Sequence, residues 1–278
     1  PIFCDVDIDN YCMDPKDFER KITKKTRAVI PVHFAGSACN MNEIVKIAKK
    51  RKIKIIEDCA QAHGTKYNNK LVGTFGDISC YSFYATKHMT TGEGGMLCTN
   101  SRKFMMTSKI FRSHGMVSRD EHMTLGYNYR MNEIAAQIGI IQLKKLKLMN
   151  SKRISNSKFI LKSLQLNKKK LFEKQKNNPN ILHTFFWCPL RIISKKMNLN
   201  KVKFLLNKKG IEIRSRYKKP LYKQKVIQNL KIKSSQNYKK LKLSNAEKLS
   251  GKIFGLPNHY KLTKKQLLFI IKTVNNLK

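Results

Sequence analysis

Short apolar runs alternate with helical patterns through the opening of this chain, and no other feature narrows the fold as much. Ile2–Val6, Arg27–Phe34, Lys54–Glu57, Ile78–Tyr84 and Gly95–Thr99 read as strands. Asp14–Ile22 reads as a helix opened by an Asp-Pro start, and Met41–Lys50 as a helix with Ile44, Ile47 and Ala48 on one face. Strands separated by helices are crossover-connected rather than hairpin-connected, so they lie parallel and the helices cover the sheet. The expected fold class is α/β, with a mostly parallel sheet.

A longer helical pattern follows from Met131 to about Leu164, with Ile134, Ile138, Ile141, Leu143, Leu146 and Leu148 as its apolar positions. Such a helix can link two domains. Beyond it the sequence predicts a Lys/Asn-rich loop over Asn167–Asn180, a strand over Thr184–Ile192, a helix over Leu199–Lys208 and a strand over Ile211–Arg214. Helices over Asn245–Lys252 and Leu262–Leu277 complete it. This is the pattern of a small α+β domain. Charge changes at the same place: residues 1–150 carry 24 basic and 14 acidic side chains, whereas residues 151–278 carry 34 basic against only three acidic ones. The expected division is a large domain over 1–150, ending in the linking helix, and a small domain over 151–278.

A net charge of +41 raises the possibility of a nucleic-acid partner. The 58 cations, however, are 47 lysines and only 11 arginines. Nucleic-acid readers favour arginine for its bidentate fork and interleave aromatics for stacking, and neither is concentrated here. A biased, solvated surface is the preferred reading, and nucleic acid is not an expected partner. The apolar runs Ala28–Val32 and Leu267–Ile271 are far too short to span a bilayer, and no signal-peptide pattern opens the chain. No membrane association and a cytoplasmic location are expected. The seven cysteines are odd in number and none are spaced as CxxC, so reduced thiols are expected, with no metal site.

The chemistry concentrates between Ile53 and Asn100. A strand ends at Glu57-Asp58, and ligands in open α/β sheets sit beyond the carboxyl ends of strands. A carboxylate there can keep a pyridinium nitrogen protonated; it can equally serve as a helix N-cap, and position alone leaves both open. Lys87 follows another strand and precedes the Gly-rich Thr90-Thr91-Gly92-Glu93-Gly94-Gly95 turn. Desolvation there lowers an amine's pKa, and the neutral amine is the nucleophile that forms an imine. Only one lysine among 47 can hold that role, so the neighbours have to single it out.

Those neighbours carry a resemblance. Glu57-Asp58-Cys59-Ala60-Gln61-Ala62-His63-Gly64, Phe75-Gly76-Asp77, Tyr81-Ser82-Phe83-Tyr84, Thr86-Lys87 and the Thr90–Gly95 turn resemble the DegT/StrS family, in family order. Arg112-Ser113-His114-Gly115, Gly126-Tyr127-Asn128-Tyr129-Arg130 and Asn132-Glu133-Ile134 extend it, and Asn245-Ala246-Glu247 and Leu256-Pro257 carry it into the tail. The resemblance implies a fold-type-I aminotransferase that uses pyridoxal 5'-phosphate to aminate a nucleotide-diphosphate keto sugar, with glutamate as donor. It implies that Lys87 forms the Schiff base and shuttles the proton, Asp58 pairs with the pyridine nitrogen, Gln61 packs beside the ring and Ser82 binds the phosphate. Asn128 would reach the cofactor of a partner subunit, so a homodimer is implied. Ser82 as a buried, backbone-bonded hydroxyl and Asn128 as a turn residue are the plainer alternatives.

The Thr90–Gly95 turn resembles members that aminate C4 of a 4-keto-6-deoxy sugar. A related dehydratase branch replaces the lysine by histidine, so Lys87 favours amino transfer. Arg130 and Arg214 are basic side chains suited to an acidic diphosphate. The family's Gly-Thr-x-Ala phosphate turn and its ring-stacking aromatic are not among these 278 residues. The large domain is therefore expected to be incomplete at its start, leaving an exposed sheet edge, and this chain alone to hold the cofactor weakly or not at all. The alternative function is a non-catalytic basic regulator or nucleic-acid-binding protein working through residues 151–278.

Overall fold

The computed structural model describes every residue except 167–169, 177, 230–233, 235 and 278. Helix α1 (Pro15–Lys21) begins where the Asp-Pro signal placed it: Asp14 accepts a hydrogen bond from Lys16 N, and Pro15 occupies the first helical position. Helix α2 (Met41–Lys50) is capped by Asn40 and buries Met41, Ile44, Ile47 and Ala48. Those side chains meet Val29, Ile53 and Ile55 in one core beneath the sheet. Ile44 is fully buried, a gain of roughly 1.5–3 kcal/mol for a side chain of that size.

Strands β1 (Ala28–Val29) and β2 (Lys54–Asp58) pair in parallel. A short ribbon of β3 (Lys66–Tyr67) and β4 (Lys70–Leu71) precedes β5 (Ile78–Ser82), which pairs in parallel with β2. Strand β6 (Gly95–Cys98) adds antiparallel to β5, giving the order β1-β2-β5-β6. The sheet is mostly parallel, as expected. Ile2–Val6 does not become a strand and keeps only a bridge from Val6 to Met13. Asp5 instead accepts hydrogen bonds from Asn245 N and Ala246 N, so this segment is spent on the far end of the chain.

Helix α3 (Arg102–Arg112), which the apolar pattern did not reveal, buries none of its residues. A hairpin of β7 (Met116–Ser118) and β8 (Glu121–His122) leads to the long helix α4 (Glu133–Ser163), capped by Asn132. Its apolar residues are used unlike a simple buried stripe. Ile134, Ile138, Ile141, Leu143 and Leu148 are exposed, while Met149, Asn150, Arg153, Asn156, Ser157 and Ile160 are buried. The first half of α4 presents an apolar surface, and the second half carries polar groups into the interior. Met96 and Leu97 of β6, Phe111 of α3 and Leu125 are also exposed.

Beyond α4, β9 (Phe172–Lys174) crosses the segment expected to be a loop, of which residues 167–169 and 177 lie outside the described residues. Strand β10 (Ile181–Leu182) pairs with β3, and β11 (Cys188–Ile192) lies between β9 and β12 (Ile253–Leu256). Helices α5 (Leu199–Asn207), α6 (Lys225–Gln228), α7 (Ser244–Leu249) and α8 (Lys264–Asn275) complete the chain. Ile160 of α4 packs with Leu190, Val202, Phe254 and Ile270 in a second core. Ile211–Arg214 forms only a bridge, from Arg214 to Gly255.

Residues 184–187 leave the expected strand for a physical reason. Phe185 adopts φ 50°, Thr184 N donates to Gly36 O (3.0 Å) and Trp187 N to Ala35 O (3.3 Å). The segment is thereby bonded to the end of the first core instead of the sheet. Gly36 permits this approach. Its φ is +92°, and a Cβ there would stand 2.7 Å from the backbone nitrogens of Phe185 and Phe186. Gly36→Ala is expected to lower stability by roughly 1–3 kcal/mol. An unchanged denaturant midpoint would show that the segment yields instead.

Candidate active site

Asp58 ends β2 and Ser82 ends β5, and the register pairs Asp58 with Cys80. Both side chains therefore stand at the carboxyl end of the same parallel pair, where open α/β sheets build their sites. The chain then turns through residues 85–90, with Lys87 N donating to Tyr84 O (2.9 Å). The Gly-rich turn folds back on the strand end. Phe83 N donates to Gly94 O, Thr91 N to Phe83 O, and Thr90 Oγ1 also to Phe83 O (3.1 Å). Lys87 is thus carried on a loop clamped at both ends to Phe83.

Lys87 is half-buried, and burial lowers its pKa; the Asp58 carboxylate pushes the other way and the Arg214 charge pushes down again. The net direction favours a neutral amine. One Asp58 oxygen accepts from Ala60 N (2.9 Å), so Asp58 does serve as a local backbone cap while remaining within electrostatic reach of Lys87. Gln61 is fixed from both sides: its Oε1 accepts from Ala35 N (2.9 Å), and its Nε2 donates to Tyr217 Oη (3.0 Å). Ser82 Oγ is partly exposed and accepts only a long bond from Tyr84 N (3.4 Å). Asn128 stands apart, exposed, its backbone bridged to Ser113 between the stacked rings of Tyr127 and Tyr129.

Several groups around Lys87 come from far along the chain. The Lys87 amine lies 5.1 Å from the centroid of Phe186, and the Arg214 guanidinium lies 5.0 Å from the same ring. Arg214 also donates to Phe186 O (3.2 Å). The sequence reading offered Arg214, with Arg130, as a cation suited to an acidic diphosphate, without placing it beside Lys87. Phe186 carried no signal, because an aromatic within an apolar run reads as core.

Behind the strand ends lies Glu57, fully buried. It accepts from Gly73 N, Phe75 N and Gly76 N (2.7 Å each) and from His33 Nε2 (3.1 Å). Burial pushes its carboxyl up, but the His33 and backbone hydrogen bonds outweigh it, so the group sits below the usual carboxylate range. His33 Nδ1 accepts from Cys39 N (3.1 Å), which leaves the ring proton on Nε2, facing Glu57. Cys59 brings a third ligand-type atom within 4.8 Å of these two. Because both Glu57 oxygens are already filled by N–H donors, the trio works as a brace for the 73–76 loop beside Asp58.

His63 and His88, both buried, pack ring to ring (5.4 Å) next to Lys87. Burial, then the Lys87 charge, lowers the His63 pKa to about 4; burial takes His183 to about 3 and drives His88 well below its ordinary value. His183 Nδ1 accepts from Phe185 N (2.9 Å), so charging that ring would break the bond. An unfolded histidine near 6.5 binds protons that these folded ones refuse, so stability is full above about pH 6.5 and falls as pH drops towards 4. His63 alone is expected to contribute a loss of about 3 kcal/mol. Denaturation midpoints measured from pH 7.5 to 4 check this, and a flat profile would contradict it.

The pyridoxal phosphate expected from the sequence can be tested against these residues. The ring of such a cofactor needs an anion at its nitrogen and an amine at its aldehyde; Asp58 at the end of β2 and Lys87 on the turn after β5 are residues of those types within electrostatic reach of each other. The model of the DegT/DnrJ/EryC1/StrS aminotransferase family matches residues 1–275. The GDP-perosamine synthase of Escherichia coli O157:H7 is 35% identical, the match covering 99% of this chain and 72% of that protein. A pleiotropic regulatory protein of Geobacillus stearothermophilus is 31% identical over 99% of this chain and 71% of its own length. The structure of Helicobacter pylori PseC, an aminotransferase involved in the biosynthesis of pseudoaminic acid, superposes with a TM-score of 0.87. It is 28% identical, over 99% of this chain and 72% of that one. The chain belongs to the DegT/DnrJ/EryC1/StrS family of pyridoxal-phosphate-dependent sugar aminotransferases.

Proposed function

We propose that this chain transfers the amino group of glutamate to the keto carbon of a nucleotide-linked 4-keto-6-deoxy sugar, for amino-sugar or surface-polysaccharide synthesis in the cytoplasm. One observation carries the reading: Lys87 stands half-buried on the turn after β5, its amine's proton affinity lowered by burial, and within electrostatic reach of Asp58 at the end of β2. Bound pyridoxal phosphate supplies the electron sink that makes the donor's α-hydrogen acidic. Asp58 holds the proton on the ring nitrogen that keeps this sink effective. Lys87 Nζ would take the proton from the donor carbon and pass it to the cofactor carbon that keeps the amine, and in the second half would carry a proton from there to the sugar carbon. In this reading Gln61, fixed between Ala35 and Tyr217, packs beside the ring, and the Ser82 hydroxyl has donor capacity for a phosphate oxygen.

The reading includes a homodimer. Met96, Leu97, Phe111, Leu125, Ile134 and Leu143 are all exposed, and a second copy covering some of them would bury apolar surface. In that dimer Asn128, which sits between Tyr127 and Tyr129, would reach its partner's site. The division into a large domain over 1–150 and a small one over 151–278 is supported by the two largest cores, one built on residues 12–72 and one on residues 160–277, which smaller clusters join. Among the described residues no helix is long and apolar enough to cross a membrane.

The test is direct. Purified chain with excess cofactor, glutamate and a nucleotide-linked 4-keto-6-deoxy hexose is expected to yield the amino sugar, read as a mass change. Preference for a 3-keto isomer would overturn the assignment of the reacting carbon, and no product with either isomer from chain shown to have captured the cofactor would overturn the substrate class. The regulatory reading draws on the name of the Geobacillus relative and the basic residues 151–278. A stoichiometric nucleic-acid complex that survives moderate salt would favour it; binding that salt abolishes would mark only surface charge.

A further inference from the structure

Two helices of the second core carry the same outward pattern. In α5 and its C-cap it is Lys201, Phe204, Leu205 and Lys208, and in α8 it is Lys265, Leu268, Phe269 and Lys272. The spacing i, i+3, i+4, i+7 puts each set on one side of its helix. Phe204 is 65% exposed, Leu268 48% and Phe269 49%, Leu205 is half-buried, and the lysines are all exposed. The opposite sides enter the core, with Val202 and Leu206 from α5 and Leu267, Ile270 and Val274 from α8. Both helices cover one face of the sheet of β9, β11 and β12: Cys188 stands opposite Leu256 and Leu190 opposite Phe254, and all four belong to that core. Helices on one face of a sheet turn their outer sides the same way. The end of α4 is tied to α8, with Gln165 N donating to Asn275 Oδ1 (2.9 Å) and Asn275 Nδ2 to Ser163 O (3.2 Å), and adds the exposed Lys158 and Lys162.

No acidic residue lies in α5, in α8 or in α4 from Ser151 onward, and none of these lysines forms an ion pair among the described residues. A solvated surface accounts for an excess of lysine; it does not account for phenylalanine and leucine seated between lysines at one spacing on two helices. We propose that the outer sides of α5 and α8 form a docking surface for an anionic phospholipid bilayer. Phe204, Leu205, Leu268 and Phe269 enter the headgroup boundary, and the flanking lysines meet lipid phosphates. The long apolar stem of lysine lets its ammonium stay at the phosphates while the neighbouring side chains go deeper. The aliphatic member of each pair has no ring to stack on a base, and neither stripe contains arginine, so lipid is favoured over nucleic acid. Among the described residues no helix is long and apolar enough to cross a membrane, so the contact is with the bilayer surface. The expectation of no membrane association came from the shortness of the apolar runs, which limits spanning and leaves surface contact open. The contact is independent of the chemistry at Lys87.

Co-sedimentation with vesicles tests this. The chain is expected to sediment with vesicles of equal parts phosphatidylglycerol and phosphatidylcholine and to stay in solution with phosphatidylcholine alone, and salt should weaken the binding. Phe204→Ser, Leu268→Ser and Phe269→Ser combined leave the charge unchanged and are expected to weaken binding roughly tenfold or more. Lys208→Gln, Lys265→Gln and Lys272→Gln combined should weaken it as well at low salt. If the serine variant does not fold, by circular dichroism, Phe204→Ser and Phe269→Ser made singly decide the matter. No sedimentation with the anionic vesicles, or equal binding to both kinds, overturns the proposal. So does undiminished binding by the serine variant, which would mark surface charge alone. Binding lost in Leu125→Ser and kept in the serine variant would move the contact to another face and defeat it too. Tighter binding of single-stranded oligothymidylate, lost in the same serine variant, would make nucleic acid the partner instead.

Discussion

Lys87→Ala is expected to abolish covalent capture of pyridoxal phosphate and to reduce amino transfer by roughly 10³-fold or more, because nucleophile and proton shuttle disappear together. Reduction with borohydride in excess cofactor should add one cofactor mass to the peptide carrying Lys87 in the unmodified chain and none in the variant. Lys87→Arg separates chemistry from charge, since a guanidinium is never neutral at working pH and cannot attack an aldehyde. It should be as inactive as the alanine variant. Lys87 makes no ion pair among the described residues and is only half-buried, so both variants should fold within about 1 kcal/mol of the original. Label found on another lysine, with amino transfer intact in Lys87→Ala, would remove Lys87 from the mechanism.

Glu57→Gln is expected to be the most damaging conservative change to the fold. Every group facing Glu57 is a donor: Phe75 N and Gly76 N on one oxygen, Gly73 N and His33 Nε2 on the other. Glutamine has one carbonyl, so whichever way the amide is turned its NH₂ must face two N–H donors in a fully buried place. Breaking such a network costs about 3–5 kcal/mol, or roughly a 10 °C fall in melting temperature. The native carboxyl sits below its ordinary range, so its contribution is present above the unfolded pKa and is lost as pH falls through the folded one. The variant should therefore lose part of the acid dependence as well. A loss under about 1 kcal/mol would show that the 73–76 loop finds other partners.

Glu57 also explains why Asp58 is so well placed. The two are neighbours at the end of one strand, and pleating sends them to opposite sides. Glu57 goes inward to hold the loop after β4, while Asp58 goes towards Lys87. The sequence showed two acids in a row at a strand end but could not tell the brace from the site residue, because that depends on which face the core occupies.

The alternation of strands and helices, the Asp-Pro and Asn caps and the motif order from Glu57 to Gly95 were enough to specify the sheet, the family and the candidate roles of Lys87 and Asp58. Those features are local: caps, periodicity and short motifs act within a few residues, so they can be read without distant contacts. Residues 184–187 looked like strand and became a bonded bridge to Ala35 and Gly36, because backbone groups from elsewhere competed for their hydrogen bonds. Phe186 and Arg214 meet near Lys87 only after the C-terminal part of the chain has packed against the first. The early apolar residues of α4 matched a helical stripe, yet folding left them outside. Periodicity marks which residues share a face, whereas what that face meets is decided by the rest of the molecule.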